Sequence, residues 1–135
     1  MEILMLLVDF GMVILIWMTQ LIVYPGFGFY SEKELVDWHK RYTATISVIV
    51  IPLMSAQLLI HAYDLWVNQS MISIINAIII ALLWAITFGE AVPLHNQITR
   101  QEESLKAART LVHLNWYRTI LWNVVFGLSL IAYII

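Results

Sequence analysis

The chain contains no cysteine. Disulfides, thiolate metal sites and thiol redox chemistry are thereby excluded. Charge is scarce as well. Asp, Glu, Lys and Arg make up 12% of the 135 residues, against roughly 25% in a soluble domain. A net charge of only −2 supplies no basic surface for nucleic acid. What fills the space is apolar: 61% of residues are hydrophobic and the mean hydropathy is +0.83. This composition belongs to an integral membrane protein, with the lipid bilayer as its first partner. The first apolar segment is longer than the core of a signal peptide and no basic stretch precedes it, so it reads as a span and not as a cleaved leader.

A bilayer core takes about 20 apolar residues per helix. Four segments satisfy this, at residues 3–24, 43–66, 71–92 and 111–135. They predict an all-α fold, an integral membrane four-helix bundle in a single transmembrane domain covering residues 1–135. The links are an interfacial segment at 25–42, a tight turn at 67–70 and a polar stretch at 93–110. Ser31 followed by Glu34 forms a capping-box pattern that predicts a helix start leading into the second span. Pro52 predicts a kink inside that span.

Basic residues are missing from both termini and from the second link. The seven present are Lys33, Lys40, Arg41, Arg100, Lys106, Arg109 and Arg118, all in or nearest to the first and third links. The positive-inside rule then puts those links in the cytoplasm and both the N- and C-termini on the non-cytoplasmic side. A faint repeat is also legible. "WMTQLIVYP" (17–25) and "WAITFGEAVP" (84–93) both run from Trp to Pro at the same end of a span.

Polar side chains inside lipid are expected to face the bundle interior, since facing hydrocarbon costs several kcal/mol. Asp9, Val13, Trp17, Gln20 and Tyr24 share one helical face, with Asp9 about 16 Å along the axis from Gln20. Gln57, His61 and Asp64 share a second face near the opposite end from the basic links. Trp84, Thr87 and Glu90 run toward His95 and Asn96, and Asn115, Arg118, Thr119 and Trp122 form a stripe with His113 and Trp116 beside it. Most of these groups gather toward the cytoplasmic half and come from all four spans, which predicts a polar pocket there. Glu90 and Arg118, on antiparallel neighbours, are expected to pair. The same residues also have plainer uses, as interfacial anchors, wet histidines or a snorkelling arginine.

Three chemistries suit the set. Metal binding is weakly supported, because no His-x-x-x-His or Glu-x-x-His occurs on a helix, and no metal site is assigned. Haem, as a candidate cofactor, needs two His on facing helices at one depth, and His39, His95 and His113 offer such pairs. A cofactor-independent site would use His as general base and Arg118 to stabilise an anion.

"WMTQLIVYPGF", "WHKRYTATISVIVIPLM", "FGEAVPLHNQI" and "LNWYRTILW" form an ordered series covering most of the chain. The series resembles the signature regions of a family of small bacterial four-span membrane proteins akin to the anthrone-oxygenase-like proteins. That resemblance implies a four-helix bundle and oxidation of an aromatic or quinol-type compound. More loosely, "VYPGF" resembles the Tyr-Pro motif closing the first span of the bacterial membrane protoporphyrinogen oxidase, which binds haem. The present chain has no His in its first span, so that ligation scheme does not carry over.

The expectation is therefore a membrane-embedded oxidoreductase in a bacterial cell inner membrane, acting on a hydrophobic aromatic or quinone-like small molecule. The rivals are a small transporter or channel subunit and a structural subunit, and a homo-oligomer is a candidate assembly. His95, His39, His113, Glu90 and Arg118 are the candidate catalytic groups. Gln20, Tyr24, Asn96, Asn115, Trp116 and Trp122 are the candidate substrate-binding groups.

Overall fold

A computed structural model of the chain describes residues 1–134. It is helical, with no strand among the described residues. Four helices are long and apolar enough to cross a membrane: α1 (Glu2–Phe29), α2 (Glu32–Asn68), α3 (Met71–Thr99) and α4 (Ser104–Ile134). The expected end of the fourth span, residue 135, lies outside the described residues. Large apolar side chains point outward along every helix, including Leu7, Ile22, Leu59, Ile78 and Ile120, each more than half exposed. Such a surface is costly in water and favourable in lipid.

The helices outrun the apolar segments that announce them. α1 continues to Phe29 and α3 to Thr99, so the first and third links shrink to short turns. Both extensions pass a proline, and both do so by the same device. The helix widens into a π-turn at Thr19–Val23, two residues before Pro25, and again at Thr87–Ala91, two residues before Pro93. Proline lacks an N–H and its ring crowds the carbonyl four residues back. A turn that bonds to the fifth residue gives that carbonyl room. The two Trp-to-Pro stretches thus repeat in backbone as well as in sequence.

Local signals set the remaining ends. Ser31 and Glu34 form the expected capping box at the start of α2. Gln69 takes a left-handed φ of 47° and the Ser70 side chain accepts the Ser73 N–H, turning α2 directly into α3. α2 runs through Pro52 without interruption.

Two apolar layers hold the bundle. One, at the end carrying the two short turns, joins Phe27, Leu35, Ile98 and Leu111. The other, at mid-height, joins Met12, Ile16, Met54, Ile80, Leu83, Trp122 and Val125. α2 takes little part between them: no residue from Lys40 to Leu53 is fully buried. That gap is where the site lies.

Candidate functional site

A cavity of about 280 Å³ fills the gap between the two apolar layers. This is close to the lower end of the range for ligand pockets, roughly 300–1,000 Å³. Its walls are mostly apolar, with Met12, Ile16 and Met54 closing it toward the chain termini. Polar groups enter from Thr19, Tyr24, Thr87, His95, Thr99 and Arg118. Its mouth lies between α2 and α3, where Ile51, Phe88 and Asn96 line it and are themselves exposed on the apolar flank.

Arg118 is the principal charge of the cavity. It is 7% exposed and no carboxylate lies within ion-pair distance among the described residues. One guanidinium nitrogen, Nη1, donates to Asn115 Oδ1 at 3.0 Å. The Asn115 amide in turn donates to Gln20 Oε1 at 2.9 Å. The guanidinium carbon sits 5.1 Å from the centre of the Trp122 ring, a cation–π distance. Arg118 Nε has no partner, and neither do Thr87 Oγ1 and Trp84 Nε1, which belong to residues lining the same cavity. A cation buried against apolar walls with a donor left free is costly unless an anion or a polarised oxygen meets it.

Beside the cation runs a chain of hydrogen bonds whose direction can be worked out from its last member. The Thr99 hydroxyl donates to the His95 carbonyl at 3.1 Å, so its oxygen is left to accept from His39 Nδ1 at 3.1 Å. With His39 neutral, its Nε2 then accepts, and receives His95 Nδ1–H at 2.7 Å. His95 Nε2 in turn accepts the Tyr24 hydroxyl at 3.1 Å. Each ring nitrogen thereby has one role, and both imidazoles are neutral in this arrangement. Phe27 and Tyr42 pack against the His39 ring, and Tyr24 and Tyr42 against the His95 ring. These aromatic contacts hold the chain in register.

The expected residues divide accordingly. Tyr24, His95, Asn96, Arg118 and Trp122 line the cavity. His39, Asn115 and Gln20 stand behind that lining and orient it. Three others lie elsewhere. His113 is exposed. Trp116 is 42% exposed and packs edge-on against Trp17. Glu90 is exposed and borders a separate apolar groove with Tyr117. The expected Glu90–Arg118 ion pair is therefore not formed. Glu90 falls inside the π-turn, where the wider turn carries it off the stripe begun by Trp84 and Thr87. The helix then continues unbroken, and five residues on, about 140° around the axis, His95 faces inward.

Thr99 and Tyr42 complete the site; the sequence places Tyr42 on one helical face with His39 at this end, whereas Thr99 was not singled out. Thr99 lies one helical turn beyond His95, and Tyr42 three residues beyond His39, so both were within reach of the i, i+3 and i, i+4 rule.

The geometry does not accommodate haem between these histidines. Two imidazoles on opposite faces of an iron stand about 4 Å apart, nitrogen to nitrogen, given metal–imidazole bonds of about 2 Å. His39 and His95 are bonded to each other at 2.7 Å, with their ring centroids 5.0 Å apart. His61 is engaged with Asp9 at the far end. No group of three or more His, Asp or Glu is placed to hold a metal among the described residues.

The cavity does not continue toward the chain termini within the single chain. Below the cavity, Met12, Ile16, Met54, Ile80, Leu83 and Trp122 close into the mid-height layer. No family model, curated protein or solved structure matches the chain.

Proposed function

We propose that the chain is a membrane-embedded oxidoreductase of a bacterial cell inner membrane, acting on a hydrophobic aromatic or quinone-like molecule that enters the cavity from lipid. The observation that carries this reading is Arg118, a buried cation without a carboxylate, aimed into an apolar pocket beside a directional Tyr24–His95–His39–Thr99 relay. An apolar ring suits the walls. A ring oxygen that carries negative charge during the reaction suits the cation.

The roles follow from position. Arg118 stabilises the developing oxyanion, with Asn115 and Gln20 holding the guanidinium in place. His95 is the general base, reached directly or through the Tyr24 hydroxyl. As His95 Nε2 takes up a proton, the hydrogen already on its Nδ1 passes to His39 Nε2, and the hydrogen on His39 Nδ1 moves toward Thr99, which is half-buried. In this direction the bound hydroquinone-type anion is oxidised, and its two electrons pass to a second, membrane-dissolved quinone, which takes up two protons as it is reduced to the quinol. The six basic residues nearest the relay end, Lys33, Lys40, Arg41, Arg100, Lys106 and Arg109, support a cytoplasmic placement of that end.

The test uses Trp84 and Trp122 as built-in reporters, since both border the cavity and quinones quench indole fluorescence. Menadione titrated into purified protein should quench saturably. The saturable part should disappear in a Trp84→Phe/Trp122→Phe double variant. Identical, non-saturating quenching in both proteins would overturn the reading.

A further inference from the structure

A second buried polar cluster lies on the other side of the mid-height layer, toward the chain termini, and no role in the cavity accounts for it. Its centre is Asp9, 1% exposed. Gln57 Nε2 donates to its Oδ1 at 2.7 Å, Ser129 donates to its Oδ2 at 2.7 Å, and His61 Nε2 stands 3.1 Å from both oxygens. Trp122 Nε1 donates to Gln57 Oε1 at 3.0 Å, which leaves only the amide N–H of Gln57 for Asp9. Asn76 donates to the Ser129 oxygen at 3.2 Å, which frees the Ser129 hydrogen for Asp9. Every neighbour of Asp9 is thus a donor, so Asp9 is a carboxylate and His61 carries its hydrogen on Nε2.

Two atoms of the cluster have no partner among the described residues. His61 Nδ1 can take up a proton, and Asn76 Oδ1 can accept a hydrogen bond. The buried ionisable groups of the bundle, among the described residues, are Asp9, Tyr24, His39, His61 and Arg118, with the Tyr24 phenol neutral as a hydrogen-bond donor. With both histidines neutral, the interior holds one negative charge, on Asp9, and one positive charge, on Arg118. Trp122 links the two: its ring lies under the guanidinium and its N–H reaches Asp9 through Gln57.

We infer that the Asp9–His61 pair is a proton-binding site, and that an anion entering the cavity draws a proton onto it. The second half rests on the cavity reading above; the first does not. When an anion meets Arg118, the interior gains one negative charge. Protonation of His61 at Nδ1, the ring nitrogen left without a partner, restores neutrality. The other groups around the pair do not compete for this role. On α2, Asp64 is held by Asn68 and Ser73 and Tyr63 is exposed. On α1, Glu2 is exposed at the helix start. From α3 and α4 come Ser73, Asn76, Trp122 and Ser129, none of which changes charge in this range.

The experiment is nitrogen NMR of 15N-histidine-labelled protein in nanodiscs between pH 5 and 8, with His61 assigned by its loss in H61Q. His61 is expected to pass from the neutral to the imidazolium pattern as pH falls, and to remain neutral in D9N. Saturation with the 2-hydroxy-1,4-naphthoquinone anion is expected to raise the imidazolium fraction several-fold at fixed pH. By reciprocity, affinity for that probe should rise by up to about tenfold per pH unit of acidification for one coupled proton, and should lose this dependence in H61Q. A His61 signal that never titrates, or that titrates identically in D9N, overturns the proton site. If D9N does not fold, wild-type titration and the pH dependence in H61Q decide the matter. Probe binding with no effect on His61 overturns the coupling alone. A probe that does not bind refutes the cavity reading and leaves the proton site to be judged on the free protein.

Discussion

Replacing Arg118 with Met separates a ligand site from a structural lock. If Arg118 served to hold the bundle together, its loss would resemble breaking a buried ion pair, at about 3–5 kcal/mol. No carboxylate among the described residues pairs with it, however. What the folded state gains from the side chain is one bond to Asn115 and the face of Trp122. Against this stands the cost of keeping a cation out of water with Nε unpartnered. Exchanging a buried charge for an apolar side chain of similar length is often neutral or stabilising by roughly 1–4 kcal/mol. Against that gain, R118M leaves Asn115 Oδ1 without its donor, at about 1–3 kcal/mol, so the two offset and the variant should unfold near the wild-type temperature. Binding should weaken even so. A hydrogen bond to a charged group contributes about 1.5–3 kcal/mol, so affinity for menadione or its hydroxylated analogue should fall roughly 10- to 150-fold. Thermal unfolding in detergent and tryptophan quenching measure the two quantities on one preparation. A variant that melts much earlier yet binds as well as wild type would refute the argument.

Other outcomes follow from the same geometry. Asn115→Ala strands Gln20 Oε1 and Arg118 Nη1 in the interior, at about 1–3 kcal/mol for each group left unsatisfied; it should lower the melting temperature where R118M does not. Tyr24→Phe removes the first donor of the relay while keeping the aromatic packing, so probe affinity should hold within a few-fold, and any proton-coupled turnover should slow. His113→Ala and Glu90→Gln should change neither stability nor probe binding, because both side chains point away from the cavity; a loss in either, by the same fluorescence titration, would mean the site has been placed on the wrong face. Ser31→Ala should loosen the start of α2, seen as faster amide exchange at Leu35, whose N–H bonds to the Ser31 carbonyl.

Much of the fold was legible because hydropathy reports burial in lipid directly. Four apolar stretches announced four helices, and Ser31 with Glu34 announced where α2 begins. The helix ends were not legible: past Tyr24 and Val92 the chain stays helical in mixed sequence, and hydropathy does not distinguish a polar helix from a polar loop. The facing of side chains was legible in part. A stripe counted at 100° per residue holds for Asp9, Val13, Gln20 and Tyr24, and fails at Trp17, which is 37% exposed, and at Glu90, where the turn widens. His39, His95, Tyr24, Arg118, Asn115 and Gln20 could be gathered from the sequence because each is a polar residue that lipid penalises. Ser129 and Asn76 could not, because a lone small polar residue in an apolar run has no visible partner until the helices are rotated against each other. The missing carboxylate beside Arg118, which carries the functional argument, is a relation between helices and has no trace in any single segment.

The central claim is that the Arg118 cavity holds a lipophilic molecule bearing an electron-rich oxygen. Native mass spectrometry of wild type and R118M, released from membranes under the same mild conditions, tests it most directly. The account predicts an added small-molecule mass on the wild-type protein that is absent or strongly depleted on the variant. The bare polypeptide mass for both proteins, or the same adduct in equal amount on each, would contradict it.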